Sequence, residues 1–260
     1  MIQGLYFSAT GVLANSYRQD VIANNIANSE TVGFRKDLAL FQQRPTEAQS
    51  RGTPNATNRM LEGLGGGLFA SPTLIDTTQG DLEPSSNTLD VAIEGTGYFK
   101  VDDAGKPRLT RDGRFTANKT GQLAMMSGTG QPVIDIQGRP IQLDPTLPAS
   151  QTTIDKQGFI IQGDGTPNRK VVGQIGLFDI ADPSQLKKAG GNLMSFPETA
   201  DLRPGAGQIM GGMVEHANVD PAIELSALMD AQRQLEANAN MIRYQDATLA
   251  RLVNDVGKIS

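Results

Sequence analysis

The sequence predicts an α+β fold: long N- and C-terminal α-helices packing as a coiled coil, with an all-β, antiparallel domain inserted between them. Three observations carry this. Residues 220–260 place apolar side chains at alternating steps of three and four, the seam of a coiled coil. The first 28 residues repeat that spacing more weakly. Between them, short alternating runs are broken by many of the 29 Gly and 14 Pro found in 260 residues, which reads as short strands and turns.

Composition excludes several classes of function. A net charge of −5 gives nucleic-acid binding no electrostatic footing. No apolar run approaches the ~20 residues that span a bilayer, and no polybasic run suits a membrane surface, so no membrane insertion is expected. Met1–Leu5 lacks a basic segment followed by an apolar core and does not read as a Sec-type signal peptide. There is no cysteine, which removes disulfides, thiolate catalysis and cysteine metal sites.

The first element, residues 1–33, is expected as one helix and its exit. Its 3-4 steps run through Ile2, Leu5, Ala9, Val12, Ser16, Gln19, Ala23 and Ile26. Asn24, Asn25 and Asn28 fall where free carbonyls at a helix end need hydrogen-bond partners. Gly33 suits a positive φ that turns the chain away, with Phe34 following. Residues 34–73 read as an extended arm, and from Gln42 to Pro72 neither helical nor strand periodicity survives. The triple glycine 65–67 is no phosphate loop, because no Gly-Lys-Ser/Thr follows it.

Residues 74–205 read as the β domain. Its strand candidates include 89–93, 98–101, 108–110, 114–117, 122–125, 159–161 and 171–178. Asp102-Asp103-Ala104-Gly105 and Asp112-Gly113 look like hairpin turns. The spacing favours a sandwich or partial barrel, and a fragment from Leu74 to Phe196 is expected to fold alone. Residues 206–219 are expected as a return linker. Residues 220–260 then form the C-terminal helix, with Asp220 as cap and Pro221 at the first helical position. Its seam runs Leu225, Leu228, Gln232, Leu235, Ala239, Ile242, Asp246, Leu249, Val253 and Val256, about 60 Å if helical throughout.

No catalytic, cofactor or metal site is expected. His216 is the single histidine, and the chain lacks the Gly-x-Ser-x-Gly of a nucleophile elbow. Asp102 and Asp103 are placed for turn chemistry, without the alternating oxygen ligands of a calcium loop.

Three stretches carry a resemblance. The first is Asp20-Val21-Ile22-Ala23-Asn24-Asn25-Ile26-Ala27-Asn28 with Thr31 and Gly33-Phe34-Arg35-Lys36. The second is Leu89 to Phe99 with Thr110-Arg111-Asp112-Gly113-Arg114-Phe115 and Gly121-Gln122-Leu123. The third is Val214-Glu215, Asn218-Val219-Asp220 and Gln232-Arg233-Gln234. Together they resemble the bacterial flagellar axial proteins, the rod and hook basal-body group, over essentially the whole length. His216-Ala217 departs from a dipeptide that often contains serine in that group.

The resemblance implies a rod subunit of proximal or distal type, with a hook-type protein as alternative. Terminal helices would pack as the inner core of a helical tube, with the β domain outside and the arm bridging neighbours. Assembly residues would be Leu5, Val12, Ala23, Asn24, Asn25, Ile26, Asn28, Gly33, Phe34, Leu225, Leu228, Leu235, Ile242, Leu249 and Val253. Implied partners are further copies, neighbouring rod and hook proteins, and the flagellar type III export apparatus. Torque would pass from motor to hook, and the rod would cross the periplasm. Two other readings stay open: a β-domain binding module dimerised by its helices, and a cap-like or peptidoglycan-cleaving rod protein.

Overall fold

Two long helices take the places the periodicity assigns them in the computed structural model, which describes residues 2–45, 67–165, 167 and 169–256. Helix α1 spans Ile2–Ala27 and α2 spans Pro221–Val256. The α2 start is built as expected. Asp220 Oδ1 accepts from the backbone N–H of Ala222 (2.9 Å) and Ile223 (3.2 Å), satisfying donors the helix leaves free. Pro221 occupies the position that needs no N–H. The α+β class is therefore what forms. No described helix is long and apolar enough to cross a membrane.

The chain divides into two units. A helical unit comprises Met1–Ala27, Asp37–Leu74 and Asp220–Ser260, and a β unit comprises Asn28–Lys36 and Ile75–Val219. These bounds differ from those read in the sequence: residues 28–36 fall in the β unit, where hydrogen bonds hold them. Of the expected arm, the two ends form strands, β1 (Asp37–Gln43) and β2 (Leu68–Ile75), which pair with each other. Residues 46–66 of that arm lie outside the described residues.

In the helical unit, α1 lies against α2 and against β1. The helices run antiparallel. Gly4 meets Gln245, Gly11 meets Asn238, and Asn25 meets Glu224, so each seven-residue step along α1 matches one back along α2. Tyr17 packs edge-on against Phe41 of β1 at 6.2 Å, and its hydroxyl donates to the Ser71 carbonyl of β2 (3.2 Å).

The β unit contains fifteen further strands, numbered in chain order among the described residues. They are β3 (Leu82–Pro84), β4 (Val91–Glu94), β5 (Tyr98–Asp103), β6 (Lys106–Thr110), β7 (Phe115–Ala117), β8 (Leu123–Met125), β9 (Thr152–Ile154) and β10 (Phe159–Gln162). Then follow β11 (Lys170–Gln174), β12 (Leu177–Ile180), β13 (Lys187–Gly190), β14 (Leu193–Ser195), β15 (Leu202–Pro204), β16 (Gln208–Gly211) and β17 (Met213–Glu215). The largest sheet has six antiparallel strands in the order β13-β14-β6-β5-β12-β15. Between β5 and β6, Ala104 (φ 52°) and Gly105 (φ 83°) make the two-residue turn that matches strand twist.

Two expectations change here. Asp112-Gly113 joins β6 to β7 without a hairpin, since β6 pairs with β5 and β14 while β7 pairs with β8. Gly113 is needed for closeness instead: a Cβ there would sit 1.7 Å from the Val91 carbonyl oxygen. Residues 206–219, expected as a linker, contain β16 and β17, which pair antiparallel with β4 and β3. Each forms a two-stranded sheet with its single partner, which has no other strand neighbour. The core beneath gathers Val91, Ile93, Phe99, Phe115, Leu123, Val133, Ile160 and Ile209, with Phe99 and Phe115 edge-to-face at 5.3 Å.

Candidate functional site

The helix pair presents the first candidate surface. The less exposed side of α2 follows Glu224, Leu228, Ala231, Leu235, Asn238, Ile242, Gln245 and Leu249, again alternating four and three. Leu228, Leu235, Ile242 and Leu249 thus share one half-buried stripe. Leu225 (52% exposed) and Val253 (71%) lie off it. The stripe is turned by about one residue from the seam read in the sequence, for a local reason. The facing side of α1 carries Gly4 and Gly11, which leave room for the ends of Gln245 and Asn238. Ala231 is the one fully buried residue of α2 among those described.

On α1, Leu5, Val12 and Ile26 are half-buried, while Ala23 and Asn24 are exposed. Asn25 is buried and acts on a strand. Its Oδ1 accepts from Asp37 N–H (2.9 Å) and its Nδ2 donates to Asp37 C=O (3.0 Å), so the amide completes the backbone at the start of β1. Large apolar side chains remain outside: Leu13, Ile223, Met229, Met241 and Tyr244 are each about half exposed or more.

Residues 28–36 form the second candidate site, within the β unit. Thr31 N–H donates to the Asn28 carbonyl (3.0 Å), closing a turn. Gly33 follows at φ 71°, where a Cβ would lie 2.4 Å from the Asp112 backbone nitrogen. Position 33 therefore excludes side chains both by conformation and by space. Gly33 N–H donates to Glu215 C=O (2.7 Å). Phe34 is buried against Ala217 and Val219, with the Lys188 ammonium 3.8 Å from its ring centre. Lys36 N–H donates to Asn218 Oδ1 (2.8 Å), and Asn218 Nδ2 donates to Asp76 C=O (3.1 Å) and Thr78 C=O (2.9 Å).

At the centre lies a buried ionic triad. Arg35 Nη2 donates to Glu215 Oε1 (2.6 Å) and Arg111 Nη1 to Glu215 Oε2 (3.1 Å). Gly80 N–H is a third donor to the carboxylate, at Oε1 (3.0 Å). Arg111 also donates through Nη2 to Gly95 C=O (2.7 Å) and stacks on the Tyr98 ring. Burial pushes the Arg111 pKa down, and the Glu215 carboxylate opposes that shift. Burial likewise pushes the Tyr98 phenol up. Arg35, Arg111 and Glu215 each lie in one of the three motif stretches, and no role for them is legible from the sequence. Charged residues so far apart carry no periodic signal, and only their recurrence in the three motif stretches marks them.

His216 sits beside the triad segment with Nε2 3.1 Å from the exposed Glu83 carboxylate, a cross-strand contact. No group of three or more His, Asp or Glu that could hold a metal occurs among the described residues.

The carboxylate, the amide of Asn218 and one or more nitrogens of each guanidinium in this junction pair with one another or with backbone. Three family models match: "Flagella basal body rod protein" over residues 5–35, "Flagellar hook protein FlgE/F/G D1 domain" over 92–165, and "Flagellar basal body rod FlgEFG protein C-terminal" over 210–255. Each matched segment contributes one member of the triad. The flagellar basal-body rod protein FlgF of Caulobacter vibrioides is 34% identical, covering 100% of both chains. FlgG of Bacillus subtilis is 32% identical, covering 98% of this chain and 99% of its own. FlgF of Mesorhizobium japonicum is 31% identical over 100% of both. The chain belongs to the flagellar basal-body rod protein family. It is a structural subunit of the rod and not an enzyme.

Proposed function

We propose that the subunit polymerises through the apolar helix faces that its own fold leaves open, with α1 and α2 packing as a coiled coil. The observation that carries this is the exposure of Leu13, Ile223, Leu225, Met229, Met241, Tyr244 and Val253 on two helices already paired with each other. Leaving that area in water costs about 25 cal/mol per Å² relative to burying it. A repeated, non-closing contact between copies generates a helix. Leu5, Val12, Ala23, Asn24, Ile26 and Asn28 are assigned to the same assembly surface. The β1–β2 ribbon, with Leu38, Leu40, Leu68 and Phe69 outward, reaches neighbours.

The resulting rod assembles with other rod and hook components in the flagellar basal body, crosses the periplasm and carries torque from motor to hook. The subunit reaches it as an unfolded chain through the flagellar type III export apparatus. Relatives named FlgF and FlgG match at nearly equal identity, which supports rod membership equally for the proximal and distal types.

Leu225→Asp tests the polymer interface. The position is exposed, so the isolated subunit should keep its melting temperature within about 2 °C. A strain lacking the gene, complemented with this variant, should make basal bodies without a complete rod and hook and should not swim. Normal rods and swimming from the variant refute the interface.

A further inference from the structure

Glu215 is the only acidic side chain touching either of two buried guanidinium groups, among the described residues. The side chains of Arg35 and Glu215 are fully buried and that of Arg111 nearly so. The three residues come from distant stretches: Arg35 and Glu215 are 180 positions apart, and Arg111 and Glu215 are 104 apart. One carboxylate facing two guanidiniums leaves a net positive charge inside. Arg35 Nε and Nη1 and Arg111 Nε have no hydrogen-bond partner. The site is thus tolerable with Glu215 in place and very unfavourable without it, because two uncompensated buried cations would remain.

Around the triad, the same short segment makes further ties to residues 33–36. Glu215 C=O holds Gly33 N–H, Asn218 holds Lys36 N–H, and Ala217 with Val219 covers Phe34. Residues 213–215 also supply β17, the partner of β3, and Gly212 N–H reaches Asp90 C=O (2.7 Å). At Gly80 the approach to this segment is so close that a Cβ would stand 2.1 Å from the His216 carbonyl oxygen.

We propose that Glu215 is the closing residue of the β unit: its arrival completes, in one step, the docking of residues 28–36, the 80–95 segment and the Arg111 corner. Before it docks, Arg35 and Arg111 repel each other and keep hydration that the closed unit removes, so these three regions stay open together. The device makes closure depend on the last part of the unit to appear in the sequence, and it makes the four regions one cooperative group.

Hydrogen exchange of the full chain, read by mass spectrometry, tests this. In Glu215→Gln, protection of residues 28–36, 80–95, 109–113 and 213–219 should fall together by about a hundredfold, the scale of breaking a buried ion pair. Residues 159–174 should stay within about threefold. Glu83→Gln, at the exposed partner of His216, should change none of them. Loss confined to 213–219, or an equal loss at 159–174, overturns the proposal. If Glu215→Gln does not yield folded protein, Arg35→Met serves, since it leaves the Arg111–Glu215 pair neutral. Residues 28–36 and 213–219 should then open together, and opening of 28–36 alone overturns the proposal.

Discussion

Gly33 and Gly212 share a φ of 71° but not a neighbourhood. A Cβ at Gly33 runs into the backbone of Arg111 and Asp112, whereas one at Gly212 meets nothing within 4 Å. Alanine at 212 should cost about 1 kcal/mol from conformation alone. Alanine at 33 should cost at least about 3 kcal/mol, because backbone must move. Urea unfolding of both variants measures the difference, and equal losses would remove steric approach as the reason for glycine at 33. Tyr98 sets a second test. Its folded pKa is raised by burial, so the stability it contributes is intact below the unfolded phenol pKa and is lost as pH rises past it. Tyr98→Phe should flatten part of the decline in melting temperature above about pH 10. An unchanged slope would show that other groups govern it.

At the level of elements, the β unit needs both of its ends. A fragment spanning 74–196 was expected to fold alone, but it lacks β15, β16 and β17 and the segment 28–36. Strands β3 and β4 would have no partners, and Arg111 would lose its carboxylate. A 28–219 fragment should therefore give a cooperative thermal transition and dispersed amide resonances, and the 74–196 fragment neither. A folded 74–196 fragment would show that the closing segment is dispensable. What the sequence revealed follows the same division between near and far. The α2 start was readable from Asp220-Pro221, and the β5–β6 hairpin from Asp103-Ala104-Gly105, because caps and tight turns are local. The order β13-β14-β6-β5-β12-β15 was not, since its β14–β6 and β5–β12 pairs join remote stretches. The stripe on α2 was half readable. Leucine spacing marked Leu228, Leu235, Ile242 and Leu249, but Glu224, Asn238 and Gln245 belong to the same side because α1 offers them Asn25 and two glycines.

For the whole molecule, residues joining remote stretches matter more than any cleft. The chain first enters the β unit at Asn28 and leaves it for the last time after Val219; close to these points, residues 33–35 and Glu215 are fastened by one 2.7 Å backbone hydrogen bond and the Arg35 ion pair. Tension applied through residues 28 and 219 therefore closes across this clasp. It does not run along the sheets, which hang outside the load path as a bight of rope hangs beside its knot. Arg35 and Glu215 are 180 positions apart, the 37–74 arm of the helical unit included, about 600 Å of chain if fully extended. A subunit strained at its first and last crossings keeps its length until the clasp parts, and only then do the strands of the β unit begin to bear load.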